Sequence, residues 1–595
     1  MASTQFPKFS GKVTKRGDVD YEAQSYQYAS SSYLKEGIIQ PAAIINAADE
    51  SDVIKAIKYA KDNNIAVAIR TGGHQYSGAS STSGKNIQLD LSYTYRDFTW
   101  ENDDCTIVTL GVSFSLDEFN KSLGGKKRFV PHGQCQNVHV GGHLHTGGYG
   151  QLGRSFGLFS DHIIKFRIIT ADGEPRWVKR GEVGDADLFY AVLGGSPGNF
   201  GVITHITLQV HRDEDYPNSR GFRAVYPWGR HRLQALLDVM VEMAEDENFP
   251  GDFDYCVTVL SEPLSSTLEE EIETNYDKKF RKQDPVVVWC PVIFVFVQWA
   301  NLQGAQQEYD PTFVHKVKHA GGSIRHVEVH DTKHVPISQL TRHWIFPIAR
   351  EFELPYIKRT YTSNSKSQRL KDLKWSELIS RQIDGVEHGV SVSAQFQHFG
   401  GSKSRFHLNG VNSPTSFSWR DTNISYTIDA FYNHDHQHER AIKWQQGNDK
   451  LVGKPDAAFC EHDRRVLWGS HDLDLSANKE YYYDKHPEGK YERLCEIKKR
   501  HDPTGVFTPN RFCIGLPVPD PAGGVSSASK FEAQPATVRI KHAGLEIIEK
   551  VAAVIEMSVE DKFWKLTSMK REEGKPVPLW DTWKVEGHDE IETES

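Results

Sequence analysis

Nowhere in the 595 residues is there a run of about 18 apolar side chains, the length a helix needs to span a bilayer. The opening stretch MASTQFPKFSGKVTKRGD also lacks the apolar core of a secretory signal. A cytoplasmic protein without membrane attachment is therefore expected. Basic residues are in deficit: 70 Lys and Arg against 79 Asp and Glu give a formal net charge of −9, with no concentrated Lys/Arg stripe. That excludes a nucleic-acid footprint and favours a small-molecule or neutral partner. Cysteine is scarce too. The seven (Cys105, Cys135, Cys256, Cys290, Cys460, Cys495, Cys513) are odd in number and lack metal-like spacing, so buried reduced thiols are the ordinary reading for most of them. No internal repeat is present, and nothing sets an oligomeric state. No Gly-x-Gly-x-x-Gly opens a helix after the first strand, which weakens the case for a nicotinamide-dinucleotide enzyme.

Glycine, by contrast, is concentrated. The chain is too long for one core, so two or more domains are expected. Residues 42–70 read as strand, helix, strand: PAAIINAA, then DESDVIKAIKYAKDNN with its Asp/Ser cap candidates, then IAVAIR. The last strand runs straight into TGGHQYSGAS. Further glycine clusters follow in GQCQNVHVGGHLHTGGYGQLGRSFG (133–157) and LGGSPGNFGVITHITLQV (193–210). Any one of these is an ordinary loop. Together, with strands leading in and out, they suggest a dinucleotide cradle, because glycine lets backbone amides approach a phosphate closely.

From about residue 213 to 450 the chain is more aromatic and carries alternating strands such as PVVVWCPVIFVFVQW and GVSVSAQFQHF. This suits a separate antiparallel sheet with a substrate pocket. GKYERLCEIKKRHDPTGVF reads as a helix that stops at Asp-Pro. PVPDPAGGVSSASKFEAQP, beyond residue 516, reads as a linker to a partly helical extension.

RTGGHQYSG at 70–78 resembles the flavin-attachment loop of berberine-bridge-enzyme-like oxidases, in the vanillyl-alcohol-oxidase superfamily, with Thr71 in place of the usual serine. GQCQNVHVGGHLHTGGYG at 133–150 resembles that family's second signature. The likeness continues in DADLFYAVLGGSPGNFGVITHITL (185–208) and HDPTGVFTPNRF (501–512). It implies FAD bonded covalently at two points, His74 to the 8α-methyl carbon and Cys135 to C6. It also implies a cofactor-binding set of Arg70, Thr71, Gly72, Gly73, Gln75 and Ser77, then Val138, Gly141, Gly142, His143, Gly147, Gly148 and Gly150, and further along Gly201, Val202, Ile203 and Asn510. An imidazole nitrogen and a thiolate are suitable nucleophiles for an electrophilic flavin carbon.

The implied fold class is α+β: a two-subdomain FAD-binding domain (1–212), an antiparallel-sheet substrate domain (213–450), a C-terminal return to the FAD domain (451–516) and an extension (517–595). Val138 stands where a small side chain in the family goes with oxygen reactivity. Tyr76 and Tyr149 match tyrosines on the substrate side of the flavin. Gln395 and Gln397 lie two apart on one strand face, where the family reaches its substrate, so Tyr76, Tyr149 and Gln397 are the catalytic candidates. The histidines at 434, 436 and 438 read as a solvated loop, and no metal is expected. In LWGSHDLDLS (467–476), Ser470 replaces the family's catalytic tyrosine, and a serine hydroxyl is no base near neutral pH without an activator. The expected reaction is hydride transfer from an alcohol, sugar or secondary-metabolite C–H bond, with dioxygen reduced to hydrogen peroxide. A dehydrogenase using another acceptor, and a flavin-loaded binding protein with little turnover, are the alternatives.

Overall fold

The computed structural model describes residues 5–27, 39–75, 78–194, 197–260, 292–322, 329–332, 335–343, 356–364, 370–386, 390–411, 413–432, 435–452, 489–510 and 513–515. Tyr76, Ser77, Ser470, His434 and the 517–595 extension lie outside these.

The first sheet contains β1 (Val13–Lys15), β2 (Ala43–Asn46), β3 (Val67–Arg70) and β4 (Ile87–Asp90), in the order β1-β2-β4-β3. β2 and β3 both run parallel to β4, and β1 is antiparallel to β2. The helix between β2 and β3, Glu50–Asp62, starts at Asp49, whose carboxylate accepts from the Asp52 amide at 3.0 Å. Val53, Ala56, Ile57 and Ala60, spaced three and four apart, are its buried stripe.

A second, all-antiparallel sheet joins β5 (Phe98–Trp100), β6 (Ile107–Gly111), β8 (Ile163–Ile169), β9 (Pro175–Lys179) and β10 (Val202–Gln209) in the order β5-β6-β10-β8-β9. The short strands β7 (Arg128–Phe129) and β11 (His211–Arg212) form a two-stranded ribbon. These sheets share one apolar core, which also takes in Leu494, Ile497, Val506 and Phe507 from near the C-terminal end of the described chain. That late segment is bound in by polar contacts as well. Val67 N donates to Val506 O at 2.7 Å, and Lys498 Nζ lies 2.6 Å from Asp502 and 2.9 Å from Phe507 O.

The third sheet has seven antiparallel strands: β12 (Arg220–Pro227), β13 (Phe253–Leu260), β14 (Val292–Trp299), β15 (Val329–Thr332), β16 (Tyr356–Asn364), β17 (Val390–His398) and β18 (Thr422–Tyr432), ordered β15-β12-β14-β13-β17-β18-β16. One face carries Val257, Phe396, Tyr426 and Ile428 into a second apolar core. Helices Arg230–Glu245, Thr312–Gly321, Trp375–Asp384 and His438–Val452 cover that face. The other face is polar. In register, Thr258 opposes Gln395, Gln395 opposes Thr427, and Gln397 opposes Ser425; directly opposed residues share a face. No helix among the described residues is long and apolar enough to cross a membrane.

Candidate functional site at the two glycine loops

Two loops leave the first core and meet. β3 ends at Arg70 and releases Thr71–Gln75, with Gly73 at φ +66°, a conformation that glycine adopts without strain. The second loop runs from Pro131 to Gly150 and is anchored at Leu116, whose amide donates to Val138 O at 2.8 Å. A β-carbon on Gly72 would stand 2.9 Å from the His139 ring and 3.0 Å from Asn137 O; one on Gly141 would stand 2.9 Å from the Thr71 methyl. The backbones therefore approach as closely as they do because these positions have no side chain. The contact joins a point two residues before His74 to a point two residues after Cys135. His74, Gln75, Cys135, Val138 and His139 are half-buried and Gly142 is exposed, whereas Gly73, Val140, Gly141 and His143 are buried. His74 and Cys135 thus lie half-buried at the rim of a closed core, the His74 ring nitrogens enclosed and Cys135 a free thiol.

Several residues expected at the cofactor turn out to have a defined structural task. Arg70 is directed into the sheet: Nε lies 2.6 Å from Asp90, its register partner on β4, and Nη1 donates to Tyr26 O at 2.7 Å. The amide of Gly141 is donated to Val112 O, so that glycine serves close packing and not phosphate contact. Asn510 donates Nδ2 to Ala79 O (3.1 Å) and Ser81 O (3.0 Å), holding the chain just beyond the His74 loop. Gly147 and Gly148 turn with φ of +84° and +69° against Phe417 and Phe159. Gly201, Val202 and Ile203 open β10 beside Ile168 and Ile169 of β8. Thr71 is fixed through its carbonyl, 2.7 Å from the Ser92 hydroxyl.

The histidines of the second loop are neutral braces. His143 Nε2 accepts from the Gly133 amide at 2.9 Å, which puts its proton on Nδ1. Burial, then the neighbouring His132, lowers its pKa to about 3. His132 is lowered to about 4 by burial, with Nδ1 2.6 Å from Gly133 O. His145 is likewise lowered to about 4, its Nδ1 3.1 Å from Val192 O.

The polar sheet face meets this loop. Gln395 Nε2 donates to Gln134 Oε1 at 2.6 Å, and Gln397 Nε2 donates to Gly150 O at 2.5 Å. Gln397, expected to touch substrate, is buried and acts as a brace. A β-carbon on Gly150 would collide with the His132 carbonyl. Tyr149, between Gly148 and Gly150, is half-buried, its ring edge-on to Trp419 (5.2 Å) and Phe399 (6.1 Å).

Sequence reading did not anticipate the junction residue Arg154. Fully buried, it donates Nε to Gly400 O (2.9 Å) and Nη1 to Phe253 O (3.1 Å), while its amide donates to Asp254 at 2.8 Å. Burial raises Asp254 to about 7 in spite of Arg154 and Ser155. Asp161 and Arg420 form a second buried pair between the two parts. Buried charges leave little trace in composition or periodicity, so only the placement of β13 and β18 makes them visible.

Residues 41–179 match the family model described as an FAD binding domain. Berberine bridge enzyme-like 12 of Arabidopsis thaliana is 34% identical over 202 residues, 32% of this chain and 37% of that protein. The FAD-linked oxidoreductase ZEB1 of Gibberella zeae is 34% identical over 236 residues, 34% of this chain and 40% of that protein. Over these stretches the chain is similar to berberine-bridge-enzyme-like and other FAD-linked oxidoreductases. The uncharacterized FAD-linked oxidoreductase YvdP of Bacillus subtilis matches at 29% identity over 38% of the chain. The matched stretches span about a third to a half of the length of these relatives. Among solved structures, a chitooligosaccharide oxidase has the same fold, with a TM-score of 0.63 at 15% identity, covering 85% of this chain and 97% of that one. The glucooligosaccharide oxidase of Acremonium strictum, described with a 6-S-cysteinyl, 8α-N1-histidyl FAD, has a TM-score of 0.62 at 17% identity, covering 85% and 97%. The two-part α+β architecture is thus the fold shared with these two solved structures.

Proposed function

We propose that this protein is an FAD-dependent oxidase with the flavin held covalently by both His74 and Cys135. The observation that carries this reading is the Gly72 contact with Asn137–His139, which brings together the two loops bearing an imidazole and a thiol. Bound FAD would supply the acceptor for a hydride from an alcohol, sugar or secondary-metabolite C–H bond, with dioxygen as the final electron acceptor and hydrogen peroxide as product. His74 and Cys135 hold the group; the glycine backbone at 72–73 and the exposed Gly142 leave room for it. Val138 borders the same rim. Gln395 and Gln397 fix Gln134 and Gly150, and so set the height of the loop against the sheet. Tyr149 is the proton acceptor in this reading, since Ser470 replaces the family's base and Tyr149 stands on the turn that Gln397 braces. The division into a flavin part (1–212, rejoined at 451–516) and a substrate part (213–450) is supported by two separate apolar cores, although Phe399, Phe406, Phe417 and Trp419 of the second part pack into the first core.

The decisive experiment is acid precipitation of purified protein followed by peptide mapping. Washed protein should stay yellow, with flavin on the peptides containing positions 74 and 135. His74→Ala and Cys135→Ala should each keep one bond, and the double variant none. Flavin released entirely from the wild type by acid refutes the covalent reading. Rapid reoxidation of the dithionite-reduced protein in air separates an oxidase from a dehydrogenase. Once a substrate panel reduces the flavin, Tyr149→Phe should slow reduction about 10²–10⁴-fold if Tyr149 is the base; an unchanged rate removes it from that role.

A further inference from the structure

A small cavity lies beside the second loop, lined by His132, Gly133, Gln134, Gln151, Leu152 and Thr341. It has room for a molecule about the size of water. His132 and Gln151 of its polar wall are more than nine-tenths buried and incompletely matched, and Gln134 is half-buried. His132 is 6% exposed and Gln151 is 3% exposed. His132 Nδ1 faces Gly133 O, so Nε2 carries the lone pair, and it has no partner among the described residues. Gln134 accepts from Gln395 through Oε1, and its Nε2 is likewise without a partner there. Neither amide atom of Gln151 is matched. The Cys256 sulfur beside the two glutamines is a weak acceptor for their N–H groups, which leaves the second N–H of each amide and Gln151 Oε1 unmatched. Thr341 spends its hydroxyl proton on Ser338 O at 2.9 Å.

The wall therefore offers two acceptors, His132 Nε2 and Gln151 Oε1, and two donors, Gln134 Nε2 and Gln151 Nε2. A hydroxylic molecule with two protons and two lone pairs complements that set. We propose that this cavity is a binding site for a single structural water, which locks Gln134 between His132, Gln151 and the sheet residue Gln395. Gln134 directly precedes Cys135, so the water acts as a positioning element for the second tether. This last consequence rests on the covalent reading above; the water site does not.

An atomic-resolution structure of the full chain should show one ordered water within about 3 Å of His132 Nε2, Gln134 Nε2 and the Gln151 amide. A cavity without it, or amides turned onto protein groups, overturns the proposal. Gln151→Met keeps the side-chain length and removes both polar atoms. It should lower the melting temperature of the protein by a few degrees and reduce flavin on the position-135 peptide while leaving the position-74 peptide fully modified. Unchanged melting overturns the site. Absence of any flavin bond at position 135 in the wild type defeats the tether reading alone, because water density and melting still judge the cavity.

Discussion

The flavin part and the sheet part of this molecule were made legible by different things. Likeness in sequence is strongest in the first: the FAD-binding match stops at residue 179. Likeness in shape covers 85% of the chain at 15–17% identity. The difference is physical. The loops approach one another closely, and Gly72, Gly141 and Gly150 stand where any side chain would collide with the neighbouring loop. The sheet needs only alternation, apolar toward the helices and polar toward the loops, and many sequences satisfy that. The loops are therefore fixed residue by residue, while the polar sheet face is fixed only as a pattern.

The junction between the two parts is where this comparison can be broken hardest. Arg154 reaches across it to the carbonyls of Phe253 and Gly400 and sits beside Asp254. Arg154→Met should cost about 1–3 kcal/mol for each buried carbonyl left without its donor, those of Phe253 and Gly400 first. The loss should appear in urea unfolding as an earlier transition. A midpoint unchanged from the wild type would mean that the two parts hold together without this strut.

Acid should then separate the two parts. His132, His143 and His145 are buried and neutral in the fold, lowered to between about 3 and about 4 from an ordinary value near 6.5. The unfolded chain takes up these protons first, so stability is full above about pH 6.5 and falls as pH drops towards 4. Each histidine contributes roughly 3 kcal/mol to that fall. All three lie on the loop that holds Cys135, so limited proteolysis at pH 4.5 should cut the flavin part before the sheet. Cleavage that begins in the sheet would contradict the assignment.

The elements of this fold were legible where pattern and capping agreed. The helix expected after PAAIINAA spans Glu50–Asp62 between the caps Asp49 and Asn63, and Gln395 and Gln397 share a face as their spacing requires. Within the loops, residue type alone did not foretell the bracing bonds that Arg70, Gly141, Gln397 and Asn510 make. Arg154, Asp254 and Asp161 carried no local signal at all. Their partners are up to 259 residues away in sequence, and only tertiary structure brings them together.

The smallest effect bears on the rim itself. Val138 is half-buried, packs against the first core, and is fixed through its carbonyl to Leu116 N at 2.8 Å and through its amide to Cys135 O at 3.2 Å. Because both backbone groups are engaged, a larger side chain must extend outward from the rim and cannot be absorbed by a shift of the loop. In a close-packed wall one methylene is enough to fill a small gap. Val138→Leu should therefore slow reoxidation of the reduced flavoprotein by about tenfold, equivalent to about 1.4 kcal/mol of barrier. Val138→Ala should leave reoxidation as fast as in the wild type or faster. Stopped-flow mixing of dithionite-reduced protein with aerated buffer measures both. Equal rates for the three proteins would mean that oxygen arrives by another path, leaving Val138 as packing that belongs to the core and not to the chemistry.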